Sequence, residues 1–241
     1  MKFKSICNVT LAITIFVIAV SSPSYSQSIN ILKQRYTKQE VYITMRDSVK
    51  LFTSIYMPKN NSVAHPVLLN RTPYDIEPEG PGSFNFHMQL YSRYTEDEYI
   101  MVFQDVRGKY MSEGEFEDIR PVIPEKRSNK DIDESTDTWD TVDWLIKNIP
   151  NNNGNVGIFG ISYPGFYSTM GIINAHPAVK AVSPQAPVTA WFTGDDFHHN
   201  GAFFLLDCFS FFSSNGYPHR APTRKGHPGF RWPVPDSYEF L

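Results

Sequence analysis

Apolar positions alternate in some stretches of the chain and run together in others. In VYITMRDSVKLFTSIYMP, short alternating runs flank Arg46-Asp47, the pattern of an antiparallel hairpin. HPVLLNRTPYD carries a continuous apolar run from Pro66 to Leu69 that stops at a polar loop, and EDEYIMVFQDVRG repeats the scheme with a strand near Tyr99 to Gln104. Uninterrupted runs of this length fit strands buried on both faces of a mostly parallel sheet. The period changes in DESTDTWDTVDWLIKNIP, where Trp139, Val142, Leu145, Ile146 and Ile149 share one helical face and Ser135 and Thr136, with acids after them, mark a helix start. NNNGN reads as a turn, NVGIFG as another strand and FYSTMGIINA as a helix. Strand, helix, strand, sharp turn, helix is the organisation of a doubly wound α/β domain.

Beyond about Ala186 the strand rhythm stops. WFTGDDFHHNGAFFLLDCFSFF is aromatic and His-containing, and a Pro/Gly-rich tail follows. Residues 186–241 read as the start of a helical cap or insertion over the sheet's C-terminal edge, cut short. At the other end, Lys2 and Lys4 precede an apolar stretch from Val9 to Val20 and then SSPSYSQS, with small residues at Ser24 and Ser26. Charged, apolar and small-residue parts in that order predict a signal peptide over 1–26, cleaved after Ser26, and a periplasmic or secreted product. The apolar run falls short of the ~20 residues a spanning helix needs, so no stable membrane anchor is expected.

Composition narrows the partners. With 241 residues, 41% hydrophobic and 20% charged, the chain has the make-up of a globular protein. A net charge of -3 without a basic run gives no footprint for nucleic acid. Cys7 would leave with the signal, and Cys208, set among apolar neighbours in LLDCFSFF, reads as a buried inert thiol.

The candidate chemistry centres on GISYPGF, residues 160–166. In G-x-S-x-G the strand-to-helix turn is so tight that the flanking positions lie against neighbouring backbone, where only glycine avoids collision. The turn pushes the Ser162 hydroxyl out at the strand's end, while the amide of Tyr163, at a helix N-terminus, points into the same space as half of an oxyanion hole. The pattern alone arises by chance; the strand NVGIF before it and the helix after it supply the required context.

Five stretches, RTPYD (71–75), QDVRGKY (104–110) with SEGEF after it, DESTDTWDTVDWL, GISYPGF and GDDFHHNGAF, resemble in order and spacing a family of serine hydrolases that includes cocaine esterase, α-amino acid ester hydrolases and X-Pro dipeptidyl-peptidases. The resemblance covers about Val41 to Phe204. It implies an α/β-hydrolase fold over 27–185, incomplete, with Ser162 as nucleophile and the Tyr74 phenol as second oxyanion donor; a loop tyrosine capping the core is the alternative for Tyr74. It also maps Asp196 of the GDD motif onto a carboxylate that binds a substrate's α-ammonium group, against a helix cap by Asp195 or Asp196 at Phe197. His198-His199 beside these acids lack a third ligand at metal spacing, so no metal and no cofactor is expected. Asp105 and Arg107 end a strand at the active edge, as a structural pair or as catalytic groups.

In this fold the triad's acid and His follow later strands of the same sheet. No clear strand precedes Asp207, Asp236, His219 or His227, so both are expected outside this chain, which reads as the N-terminal portion of a longer enzyme and as inactive alone. The expected function is a serine hydrolase of esters or amides of small acyl donors, foremost α-amino acid esters; the alternatives are an X-Pro dipeptidyl-peptidase, a neutral-ester esterase, or a non-catalytic remnant or binding module. The expected partner is a small ester or short peptide, and a homo-oligomer of the full-length form stays open.

Overall fold

A computed structural model describes residues 25–241 apart from 78–79, 85–87, 89–90, 191–193, 195, 216–218, 220, 227–232 and 235–241. Residues 1–24 of the predicted signal peptide 1–26 therefore lie outside the described residues, and the expected cleavage point falls within a first helix, α1 (Tyr25–Arg35). None of the described helices is long and apolar enough to cross a membrane.

The hairpin forms as its alternation predicts. β1 (Tyr36–Thr44) pairs antiparallel with β2 (Lys50–Pro58) in a register running from Tyr36 opposite Pro58 to Thr44 opposite Lys50. β3 (His65–Thr72), a short helix α2 (Ser92–Glu96) and β4 (Ile100–Asp105) follow, then α3 (Glu134–Asn148), β5 (Asn152–Ile161), α4 (Tyr163–Met170) and β6 (Val179–Gln185). The six strands form one sheet in the order β1-β2-β4-β3-β5-β6, antiparallel at β1-β2-β4 and parallel from β4 to β6. All six residues of β4 are buried, because the two faces of the sheet carry separate apolar clusters. Ile100 and Val102 pack with Leu69, Val142, Leu145 and Ile158 under α3, and Met101 and Phe103 pack with Tyr36, Tyr56 and Phe159 on the opposite face.

Asp133 starts α3: its carboxylate accepts from the Thr136 amide while the Thr136 hydroxyl accepts from the Asp133 amide. Reciprocal caps of this kind satisfy two otherwise orphaned amides. Two expectations shift. Strand β5 begins at Asn152, inside NNNGN, because pairing with His65 of β3 extends it over residues of low strand propensity. Helix α4 starts at Tyr163 and ends at Met170, three residues earlier at its start than the apolar pattern alone places it.

After β6 the sheet ends among the described residues. A two-residue hairpin, β7 (His198–His199) with β8 (Ala202–Phe203), leads into α5 (Leu205–Asn215), which buries none of its residues fully.

Candidate active site

β3, β4, β5 and β6 all point their C-terminal ends to one edge, since the four run parallel. At that edge β5 turns into α4 at Ser162, held at φ 64° and ψ −122°. Positive φ in a residue other than glycine is a strained conformation, costing of order 1–3 kcal/mol. The turn is held from both sides: the Ser162 amide donates to the Gln185 carbonyl at 2.9 Å, and the Ser162 carbonyl accepts from the Phe166 amide at 3.1 Å. A Cβ on Gly160 would lie 2.2 Å from the Pro164 carbonyl oxygen, and one on Gly165 would lie 2.6 Å from the Gln185 carbonyl oxygen. Both glycines are thus required by backbone atoms that have no room to give way. A serine serving only as a helix cap would turn its hydroxyl onto the first amides of the helix. Ser162 makes no such bond, and it is exposed at the sheet's edge.

Tyr163, the first residue of α4, is 2% exposed. Its ring stacks on Tyr167 at 5.2 Å and meets Tyr74 edge-on at 6.2 Å, so the loop after β3 and the turn after β5 are in contact. Its phenol donates to Asp118 Oδ1 at 2.5 Å and accepts from the Ile119 amide at 2.9 Å. Burial beside that carboxylate raises the phenol's pKa far above its ordinary value.

Tyr74 is 38% exposed, in a loop whose geometry is set by its amide donating to Thr72 Oγ1 at 3.1 Å. Its phenol is pushed up to about 12, first by burial and then by the negative charges of Asp118 and Asp196. The structure therefore brings Tyr74, Tyr163, Asp118 and Asp196 into one electrostatic neighbourhood beside Ser162. Sequence reasoning misses Asp118, because it sits in a loop without periodicity and nothing local marks it.

Asp196 is exposed, and the chain beyond it forms the β7 strand, so the alternative of a helix beginning at Phe197 and capped by Asp196 does not hold. Asp195 lies outside the described residues. His198 and His199 pack on the rings of Phe203 and Phe204 across the hairpin. Among the described residues no three His, Cys, Asp or Glu side chains gather where they could hold a metal ion.

Asp105 and Arg107 do not pair with each other. Buried Asp105 accepts from the amides of Ile76 and Met111, tying the Tyr74 loop to the loop after β4. Arg107 binds Asp137 at 2.7 and 3.0 Å and Asp47 at 2.7 Å. Next to it, Arg71 bonds Gln104, Glu134 and Thr138 and lies over the Tyr167 ring at 5.7 Å. Fully buried guanidinium groups with fixed acceptors lock β3, β4 and α3 together beneath the turn. Both arginines are scaffold.

Cys208 is half-buried on α5 rather than buried, with burial raising its thiol pKa. Asp207 sits in the first turn of α5, and His219 packs on Tyr110 at 4.8 Å. His227 and Asp236 lie outside the described residues. A buried His–Asp contact does exist, His176 to Asp143 at 3.5 Å, but His176 precedes β6 at the opposite end of the sheet from Ser162.

A mostly parallel sheet flanked by helices, with a strained serine at a strand-to-helix turn on its C-terminal edge, defines an α/β-hydrolase domain, present here in part. The chain belongs to the X-Pro dipeptidyl-peptidase (S15) family, whose sequence profile matches residues 47–227. It is similar to the cocaine esterase of Rhodococcus sp. (strain MB1 Bresler), 32% identical over 145 residues that cover 60% of this chain and 22% of the esterase. Two solved structures are similar over 86% of this chain and 33% of their own: an α-amino acid ester hydrolase (39% identity, TM-score 0.71) and an aminopeptidase from a marine sediment archaeon, Thaumarchaeota archaeon (37% identity, TM-score 0.72). The chain thus spans a third or less of the length of these three relatives.

Proposed function

We propose that this chain carries the nucleophile and oxyanion site of an exported serine hydrolase that cleaves esters or amides of small acyl donors, foremost α-amino acid esters. The observation that carries the reading is Ser162: exposed, strained at φ 64°, and not spent on capping its helix. Ser162 Oγ attacks the acyl carbon as its proton passes to a base, and the carbonyl oxygen takes up the negative charge. The amide of Tyr163 and the phenol of Tyr74 donate to that oxygen, two donors placed before the charge develops. A phenol pushed up to about 12 keeps its proton through the neutral range and can donate throughout. The alcohol or amine then leaves, and water hydrolyses the acyl-enzyme on Ser162.

Asp196 sets the substrate class in this reading. A carboxylate near Tyr74 favours an acyl group bearing an α-ammonium over a neutral one by roughly 1–3 kcal/mol, the worth of a charge-assisted bond. The similarity to an α-amino acid ester hydrolase supports this. The family's description favours a second reading, release of X-Pro dipeptides, which also needs a site for a free amino terminus. Rates on alanine p-nitrophenyl ester, its N-acetyl counterpart and an X-Pro p-nitroanilide, with the full-length protein, separate the two. The amino-acid ester should be turned over fastest; equal rates on the free and N-acetylated esters would remove the ammonium site.

A further inference from the structure

We propose that Asp118 is a positioning residue of the oxyanion site, acting through the phenol of Tyr163. This rests on the reading of Ser162 as nucleophile and of the Tyr163 amide as an oxyanion donor. Tyr163 is joined to the loop between β4 and α3 at both valences of its hydroxyl: it donates to Asp118 Oδ1 at 2.5 Å and accepts from the next residue's amide, Ile119, at 2.9 Å. The first of these has the length of a charge-assisted O–H···O⁻ bond, the strong kind. No side-chain cap holds the start of α4, and the preceding residue is strained, so the orientation of the peptide between Ser162 and Tyr163 depends on what fixes Tyr163 itself.

Three rings and two hydrogen bonds do so. Tyr167, Phe166 and Tyr74 surround the Tyr163 ring at 5.2, 5.9 and 6.2 Å, while Asp118 and Ile119 hold its far end by hydrogen bonds. The same ring supports Tyr74 edge-on, so one tie sets both donors: the amide of Tyr163 directly and the phenol of Tyr74 by contact. Lys109 lies close enough to lower the pKa of Asp118, against the rise that burial imposes. The Lys109 ammonium is itself held by the Asn215 carbonyl at the end of α5, at 2.7 Å.

The oxyanion exists only in the transition state, so a misplaced donor costs kcat and leaves KM nearly untouched. A polar group that merely satisfied a buried phenol would not produce that split. The test compares Asp118→Ala, Asp118→Asn, Tyr163→Phe, the Asp118→Ala/Tyr163→Phe double variant and Ser162→Ala, each in the full-length protein on alanine p-nitrophenyl ester. Asp118→Ala and Tyr163→Phe should each lower kcat about tenfold or more with KM within about twofold, and the double variant should be no worse than the worse single. Asp118→Asn still accepts the phenol's hydrogen bond and should stay within about threefold of the parent. Parental kcat in Asp118→Ala, a loss confined to KM, multiplying effects in the double variant, or Asp118→Asn as poor as Asp118→Ala would each overturn the assignment. Undiminished turnover in Ser162→Ala would sink the nucleophile reading and this inference with it, whereas loss in Ser162→Ala beside a parental Asp118→Ala sinks this inference alone. Should Asp118→Ala fail to fold, Tyr163→Phe against Asp118→Asn decides by the same split.

Discussion

The ring of Tyr74 meets that of Tyr163 edge to face, with centroids 6.2 Å apart and planes at 86°. This contact joins the loop after β3 to the turn after β5, two segments far apart in the chain that carry the two proposed oxyanion donors. Phenylalanine at position 74 keeps the ring contact and removes the donor. Tyr74→Phe should therefore fold as the parent does and lose about 10²–10³-fold in kcat with little change in KM, the cost of one oxyanion donor. Steady-state kinetics on an activated ester reads this; a parental kcat would leave Tyr74 a loop tyrosine that caps the core.

Alanine at Gly160 or Gly165 should be felt in stability as well as rate. Each new methyl would meet backbone oxygen, at 2.2 Å from Pro164 and 2.6 Å from Gln185. The turn must then open and move Ser162. Urea unfolding should show a loss of about 1–3 kcal/mol for either substitution, as for other overpacked sites. Unchanged midpoints would mean that the turn has slack the structure does not show.

Removing the Asp137 carboxylate takes one of two carboxylate partners from each of two buried cations, leaving Arg107 with Asp47 and Arg71 with Glu134. Asp137 is 1% exposed, bonds Arg107 and lies 3.6 Å from Arg71 Nη2. Asp137→Ala should destabilise the fold by about 1–3 kcal/mol, because buried guanidinium donors lose their acceptor while each cation keeps one carboxylate. Thermal unfolding of the variant beside the parent measures it.

How much of this was legible beforehand varies with how local the cause is. GISYPGF announces its turn because its glycines flank the serine at a recognisable spacing, although Gly165 answers to the distant Gln185 carbonyl, and the hairpin and α3 follow from period and capping within a few residues. The start of β5 at Asn152 does not, since it depends on pairing with His65 from a distant strand. The partners of Asp105 and Arg107 are hidden for a similar reason: nearness in QDVRG leaves a mutual pair open as one of two readings, whereas the fold gives Arg107 to Asp137 and Asp47. Asp118 lies 45 residues from the phenol it binds, so only the folded chain reveals it.

Asp75, next to Tyr74, makes stability fall as pH rises. Burial, with Glu77 nearby, pushes its carboxyl up to about 6 in the fold, against an ordinary value near 3.8, and Arg224 at 3.7 Å opposes this only in part. Between those values the folded chain holds a proton that the unfolded chain has lost, so stability declines from pH 4 to pH 6 and the full cost persists above. Asp75 has φ 77°, a conformation asparagine also tolerates. Asp75→Asn should match the parent's melting temperature at pH 4 and exceed it at pH 7.5. An equal difference at both pH values would remove this residue from the pH dependence.

Asp196 should discriminate between substrates and not between reaction steps. Asp196→Asn keeps the shape and removes the charge, so kcat/KM on α-amino acid esters should fall roughly ten- to a hundredfold, mainly through KM, while neutral esters are nearly unaffected. A uniform loss on both kinds would make Asp196 a structural residue and the protein a general esterase.

The measurement that bears most directly on the whole account is the site of covalent labelling. The full-length protein and its Ser162→Ala variant are treated with a fluorophosphonate, digested and mapped by mass spectrometry. A single phosphonyl adduct on Ser162, absent from the variant, is the predicted result. An adduct on another residue, or equal labelling of the variant, would contradict it.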